Sequence, residues 1–143
     1  MTSLHVTFRV GTAEYAIPAS QVLHLESFET ATHVPGAPSY VAGLVQVRGR
    51  VVPVVDLRKR FGLPATDREL AHRVVVVQLG ARVAGLLVDS AREVMQLDEA
   101  SFRDAPELIK QQANGFVTGI ATVRERMFLI VDVQRVIGQE VAS

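Results

Sequence analysis

A mainly β protein, built as small barrels or a sandwich, is what this sequence predicts, and three features predict it. Short apolar runs recur at spacings near ten residues between turn residues, the habit of antiparallel strands in barrels and sandwiches. Valine dominates those runs, as a half-buried pleated surface favours. A unit of strand, turn, strand and short helix at residues 40–63 occurs twice. Shifted by 76 positions, Gly43–Gly62 overlays Gly119–Gly138 without a gap, and Val47, Arg48, Arg50, Asp56 and Gly62 fall on Val123, Arg124, Arg126, Asp132 and Gly138. Strand composition alone does not place matching Arg, Asp and Gly punctuation, and solenoid periods are much shorter. The chain therefore reads as two related halves.

Taken in order, residues 4–10 and 14–17 read as strands joined at Gly11, and 20–28 as a third. Residues 30–39 are a turn-rich loop containing Val34-Pro35-Gly36-Ala37-Pro38. The runs 44–47 and 51–55 flank Arg48-Gly49-Arg50, a hairpin in which Gly49 supplies the backbone freedom of a tight connection. Asp56 stands where a helix N-cap belongs, residues 57–61 make one or two turns, and Gly62 is the stop. Residues 63–70 form a polar connector. A second Val-rich hairpin, 73–79 and 82–88, turns at Gly80-Ala81 and continues as a strand at 91–97. Residues 98–115 are mixed, with a helical turn near 106–111, and the second copy closes the chain. Asp132 is the expected cap of its helix.

Composition bounds the function. With 143 residues and 48% apolar content, the chain can bury a real core as one domain or two intimate subdomains. Lys plus Arg equals Asp plus Glu at 15 each, so no global attraction to nucleic acid or membrane is implied. No Cys is present, which removes thiolate chemistry and fits a reducing compartment. Neither a signal peptide nor a membrane-spanning run is evident, and a soluble cytoplasmic protein without membrane insertion is expected.

No catalytic constellation stands out. The ten glycines contain no Gly-x-Gly pair, and there is no P-loop or nucleophile elbow. The histidines at 5, 24, 33 and 72 are scattered, with no Cys to join them at a metal. Asp56, Asp89 and Asp132 each follow a Val-rich strand, for which capping and turn making are the preferred explanations. An enzyme is not expected, nor a metal or cofactor. The suggestive surface is basic: Arg48, Arg50, Arg58, Lys59 and Arg60. Arg58-Lys59-Arg60 suits a helix C-terminus, whereas Arg48, at a turn, can donate to a partner in a fixed fork.

Several strings together resemble the CheW family of bacterial chemosensory coupling proteins. They are Tyr15-Ala16-Ile17-Pro18, Val34-Pro35-Gly36-Ala37-Pro38-Ser39-Tyr40, Gly43-Leu44-Val45-Gln46-Val47-Arg48-Gly49, Pro53-Val54-Val55-Asp56-Leu57-Arg58 with Phe61-Gly62, and Gly85-Leu86-Leu87-Val88-Asp89 with Glu93-Val94. The resemblance runs from about Phe8 to Ile137. It implies one CheW-like domain over 1–143, made of two intertwined five-stranded SH3-like β-barrels with a few short helices. One would be the 12–70 region with chain ends crossing, the other the middle half at about 71–115. It also implies a non-catalytic scaffold, recruited to receptor arrays, that links chemoreceptors to the histidine kinase CheA. An apolar groove between the barrels would take the receptor's cytoplasmic hairpin tip, with the contact at Val22, His24, Gly43, Val47, Arg48 and Gly49. The kinase's regulatory domain would pack around residues 73–97, with Leu86 and Val88 in the contact. Two departures bear on the receptor: Gln46-Val47 replaces the usual Asn-Leu, and His24 stands where many members carry Glu. Arg124, next to Glu125, is expected to be neutralised and silent.

Two other readings stay beside this one: an accessory relative that binds only one of these partners, and a small-barrel nucleic-acid binder. The latter usually shows a basic balance and stacking aromatics, whereas this chain is balanced, with two Tyr and six Phe spread out.

Overall fold

The computed structural model describes residues 2–64, 72–112 and 115–138; most of the predicted 63–70 connector, residues 65–70, lies outside them. Strands β1 (Thr2–Val10) and β2 (Ala13–Pro18) form the first hairpin, and a single 3-10 turn leads to β3 (Val22–Ser27). Next come β4 (Val41–Val47), β5 (Arg50–Asp56) and helix α1 (Leu57–Arg60). The second hairpin is β6 (Arg73–Leu79) and β7 (Arg82–Val88), followed by β8 (Ser90–Asp98). A three-residue strand β9 (Phe102–Asp104) and helix α2 (Glu107–Gln112) precede β10 (Val117–Val123), β11 (Arg126–Val131) and α3 (Val133–Ile137). Strand β9 is too short to show a period, so the sequence reading of 98–115 lacks it.

The strands make two sheets, ordered β8-β1-β2-β11-β10-β9 and β3-β6-β7-β5-β4. Ignoring β9, the two orders are the same under one substitution, β3 for β8, β6 for β1, β7 for β2, β5 for β11 and β4 for β10. The registers extend the repeat. Val54 pairs with Gly85 and Ile130 with Ala16, both in parallel. Val54 and Ile130 are equivalent under the shift of 76, so Ala16 corresponds to Gly85. The shift of 69 between those two also carries Gly11 to Gly80, Leu25 to Val94 and Phe28 to Leu97. The molecule is a tandem duplication in which each copy lends its hairpin to one sheet and its other strands to the opposite sheet. The first sheet draws on 2–18 and 90–131, the second on 22–88, a partition different from the expected 12–70 and 71–115. The sixth strand, β9, has as counterpart a lone bridge from Thr32 to Leu44. No ladder joins β3 to β4 or β8 to β9 among the described residues, so the sheets are open.

Apolar residues sort to three places. Val6, Phe8, Val10, Ile17, Val75, Val77, Leu86 and Val88 fill the space between the sheets. Val47, Val52, Val54, Val74, Val76, Leu87 and Phe28 line the inner face of the five-stranded sheet. Ala16, Leu97, Ala121 and Phe128 do the same in the other. Strand β6 is apolar on both faces, which is why it reads as a continuous Val run.

The repeated aspartates both cap. Asp56 accepts from the backbone N–H of Arg58 at 3.0 Å and Lys59 at 3.4 Å, and Asp132 from that of Arg135 at 3.4 Å. Replacing either by Ala is expected to cost about 0.5–2 kcal/mol in denaturant unfolding, with the singly bonded Asp132 at the lower end. A neutral Asp56→Ala would overturn this.

Much of the basic cluster is internal. Arg60 lies over the Tyr40 ring at 3.8 Å and donates through Nε to the Val136 carbonyl at 2.9 Å, capping α3. Arg58 binds Asp89 through Nε at 2.8 Å and Nη2 at 2.6 Å. Asp89 also accepts from the Gly11 N–H at 2.8 Å, so one carboxylate ties the first hairpin to α1 at the crossing between the sheets. Burial pushes Asp89 up, but the Arg58 and Gly11 hydrogen bonds and the Arg58 and His72 charges outweigh it, leaving it below its ordinary 3.8. Burial likewise lowers His5 from 6.5, against a weaker opposing hydrogen bond with Ser3.

Both groups bind protons less readily folded than unfolded, so acid favours the unfolded chain. Stability is expected to be full above pH 6.5, to decline below it as His5 is driven to charge, and to decline again below about 3.8 with Asp89. Denaturant melts at stepped pH check this. His5→Gln should erase the first decline alone, and a wild-type stability flat from neutral to mildly acid pH would overturn it.

Candidate functional site

With Arg58 and Arg60 absorbed, several exposed features lie on or near one edge strand, β3. Strand β8 lies against β6, and β1 against β7, so the edge strands β3 and β8 flank the same margin of the seam between the sheets. Leu25 is paired with Val75 and Val94 with Val6, both inter-sheet core residues. Directly paired residues share a face. Leu25 and Val94, 48% and 58% exposed, therefore continue that core outward to solvent, and Val22 packs partly into the same seam.

The other face of β3 looks into the five-stranded sheet. A register shift between Val22 and His24 sets His24 against Val76 and Glu26 against Val74. Opposite them stands the end of β4. The two edges border adjoining depressions, one of about 570 Å³ with Glu26, Phe28, Val47, Arg48 and Val74, and one of about 320 Å³ with His24, Val47, Arg48, Arg50, Val52 and Val83. Arg48 bridges the mouth, its Nε 3.3 Å from Glu26, with 68% of its side chain in solvent.

The β4–β5 turn explains how Arg48 gets there. Val47 pairs with Arg50, and both central residues have positive φ, 51° at Arg48 and 79° at Gly49. That is a type I′ hairpin, whose twist matches its strands. Among the described residues, none but its two chain neighbours comes within 4 Å of where a Gly49 side chain would begin. Arg124 has φ 58° at the equivalent turn. The expected neutralisation of Arg124 is absent: no ion pair joins it to Glu125, and Arg48 is the copy with an internal counter-charge. Adjacent residues at a tight turn point apart, which a reading of neighbours in sequence overlooks.

The other expected contacts divide. His24, Val47 and Arg48 come together, while Val22 lies at the seam. Gly43 is occupied by the chain itself: its φ is 142°, and a Cβ there would strike the Thr32 carbonyl. Leu86 and Val88, placed at the kinase contact, are 0% and 1% exposed in the inter-sheet core, so they cannot meet a partner while the chain is folded. Their strand is central, between β6 and β5, and alternation turns these two side chains inward. Leu25 and Val94 lie outside the contact residues that the sequence predicts. Their apolar character was visible, but an edge position is set by strand order.

Among the described residues no group of three or more His, Asp or Glu is placed to hold a metal, and no helix is long and apolar enough to cross a membrane. Depressions that combine valine walls with a polar, charged rim, beside an edge strand, suit a protein-binding module. The CheW-like domain profile matches residues 4–141, and the chain belongs to that family. It is 32% identical over 135 residues to the chemotaxis protein CheW of Bacillus subtilis, covering 94% of this chain and 86% of that one. With the chemotaxis protein CheW of Rhizobium meliloti it shares 30% over 135 residues, 94% and 87% of the two chains. The crystal structure of the scaffolding protein TtCheW from Thermoanaerobacter tengcongensis superposes with a TM-score of 0.87 at 29% identity, covering 95% of this chain and 92% of that one.

Proposed function

We propose that this chain is a non-catalytic chemosensory adaptor, coupling chemoreceptors to a CheA-type histidine kinase and joining their arrays. The observation that carries the receptor half is the apolar margin of Leu25 and Val94 on one face of β3, with Arg48 at the mouth off its other face. A helical hairpin tip presents an apolar stripe that suits such a groove, and Arg48 stands where it can add a directed hydrogen bond. The resemblance implies a groove between barrels, and the seam supports that reading; β3, reaching both seam and mouth, lets Val22 and Arg48 serve one partner. The kinase's regulatory domain then meets exposed side chains of the 73–97 stretch, not Leu86 or Val88.

The test is titration against a receptor cytoplasmic hairpin and, separately, a kinase regulatory domain. Arg48→Ala is expected to weaken hairpin binding by about 1–2 kcal/mol, roughly five- to thirtyfold, net of the exchanged Glu26 contact. Arg124→Ala should leave it unchanged, since its turn borders the other sheet. Kinase binding should survive both. Equal losses for the two arginines would mean that the docking surface spans the repeat, and a wild-type chain binding neither partner would end the adaptor reading.

A further inference from the structure

The duplication provides an internal standard for the smaller depression. In the six-stranded sheet the equivalent position is closed by Arg126. Its Nη2 is 2.9 Å from Glu14, its Nη1 is 2.8 Å from Glu93, and its guanidinium lies 4.9 Å from the Phe128 ring centre. The registers map each of these onto the five-stranded sheet. Arg126 becomes Arg50 and Phe128 becomes Val52 under the shift of 76; Glu14 becomes Val83 and Glu93 becomes His24 under the shift of 69. All four replacements line the same depression of about 320 Å³. Thus the arginine is kept, both carboxylates that would pair with it are gone, and the aromatic beneath it has shrunk to valine. Among the described residues the Arg50 side chain makes no ion pair or hydrogen bond. The nearby Glu26 is engaged by Arg48.

We infer that this depression is a socket for a carboxylate side chain of a protein partner, which completes at Arg50 the ion pair that Glu14 and Glu93 complete at Arg126. Charge complementarity selects the occupant. Two cations, Arg48 and Arg50, face the socket with one bordering carboxylate, and the Val47, Val52 and Val83 walls suit the methylenes of a glutamate. The socket adjoins His24 on β3, so the occupant is assigned to the receptor hairpin tip. Only that assignment, not the socket itself, rests on the adaptor reading.

Two measurements on the full chain separate the claims. First, the Nε–Hε NMR signals of Arg50 and Arg126 are followed on addition of the blocked peptide acetyl-Leu-Glu-Leu-amide or its glutamine twin. Arg50 should respond to the glutamate peptide only, and Arg126, already paired, to neither. Val83→Glu should move the Arg50 signal without peptide and abolish the response, with circular dichroism confirming its fold; Arg50→Gln, at an exposed site, gives a second variant that should fold. An Arg50 signal that ignores the glutamate peptide, or follows both peptides equally, overturns the socket. Second, hairpin titration should show Val83→Glu and Arg50→Gln each weakened by about fivefold or more, with reduced salt dependence. Wild-type hairpin binding unchanged by either variant overturns the assignment of the occupant. If the wild type binds no hairpin, the adaptor reading fails, and the peptide measurement still decides the socket.

Discussion

Leu86→Ala is expected to lower the stability of the chain by about 2–5 kcal/mol, and Leu86→Asp to prevent folding. Leu86 is fully buried, in the central strand β7, between Val75 of β6 and Val55 of β5. The ladders on both sides of β7 hold the neighbouring strands in place, so the cavity left by truncation collapses only in part. A charge at the same position would be set between Val75 and Val55, among the apolar side chains of the inter-sheet core. Denaturant unfolding of the alanine variant measures the first effect, and loss of the β signal in circular dichroism the second. A folded, stable Leu86→Asp would mean that this strand faces outward, and would reopen position 86 as a kinase contact. Any loss of kinase binding by variants at 86 or 88 is therefore to be read against their stability.

The second large effect is expected at Asp89. Asp89→Ala removes the acceptor of two Arg58 hydrogen bonds and of the Gly11 N–H. Breaking a buried pair by removing one partner costs about 3–5 kcal/mol; the side chains of Asp89 and Arg58 retain 18% and 21% exposure, so about 2–3 kcal/mol is expected here. Asp89→Asn keeps the shape and loses the charge, and should fall between wild type and alanine. In both variants the decline below pH 3.8 should vanish, since the titrating group is gone. An alanine variant as stable as wild type would show that Arg58 finds another partner, and that the crossing between the sheets is held by packing alone. Because Gly11 joins two strands of the six-stranded sheet and Arg58 directly follows β5 of the other, a looser crossing should also widen the seam that Leu25 and Val94 border and weaken hairpin binding.

The contrast between Arg50 and Arg126 shows how a duplication diverges in use. One sheet fills its own mouth with Glu14, Glu93 and Phe128, drawn from both copies, and closes upon itself. The other keeps the arginine and gives up the closure. Exposed ion pairs contribute little stability, so the five-stranded sheet forgoes little by leaving Arg50 free. An unpaired guanidinium over apolar walls is correspondingly available to a partner.

Local chemistry was enough to read much of this molecule from its sequence. Val-rich runs placed the hairpins at 44–55 and 73–88, Gly49 and Gly80 marked their turns, and Asp56 and Asp132 marked two helix starts. Each of these depends on residues a few positions apart. The repeat was legible only where it keeps its punctuation, from Gly43 and Gly119 onward. Its other half, residues 3–28 against 72–97, shares only Val6 with Val75 and Gly11 with Gly80, because a strand conserves burial and alternation, which many apolar residues satisfy. Tertiary structure decided the rest. The exchange of hairpins between copies put β7 in the centre of a sheet and so buried Leu86 and Val88, and it left β3 and β8 as edges and so exposed Leu25 and Val94. It also brought Arg48 to Glu26, 22 residues away, while Arg124 stayed apart from its neighbour Glu125. Strand order is set by pairings between residues far apart in the chain, and the alternation along one strand says which residues share a face without saying what covers it.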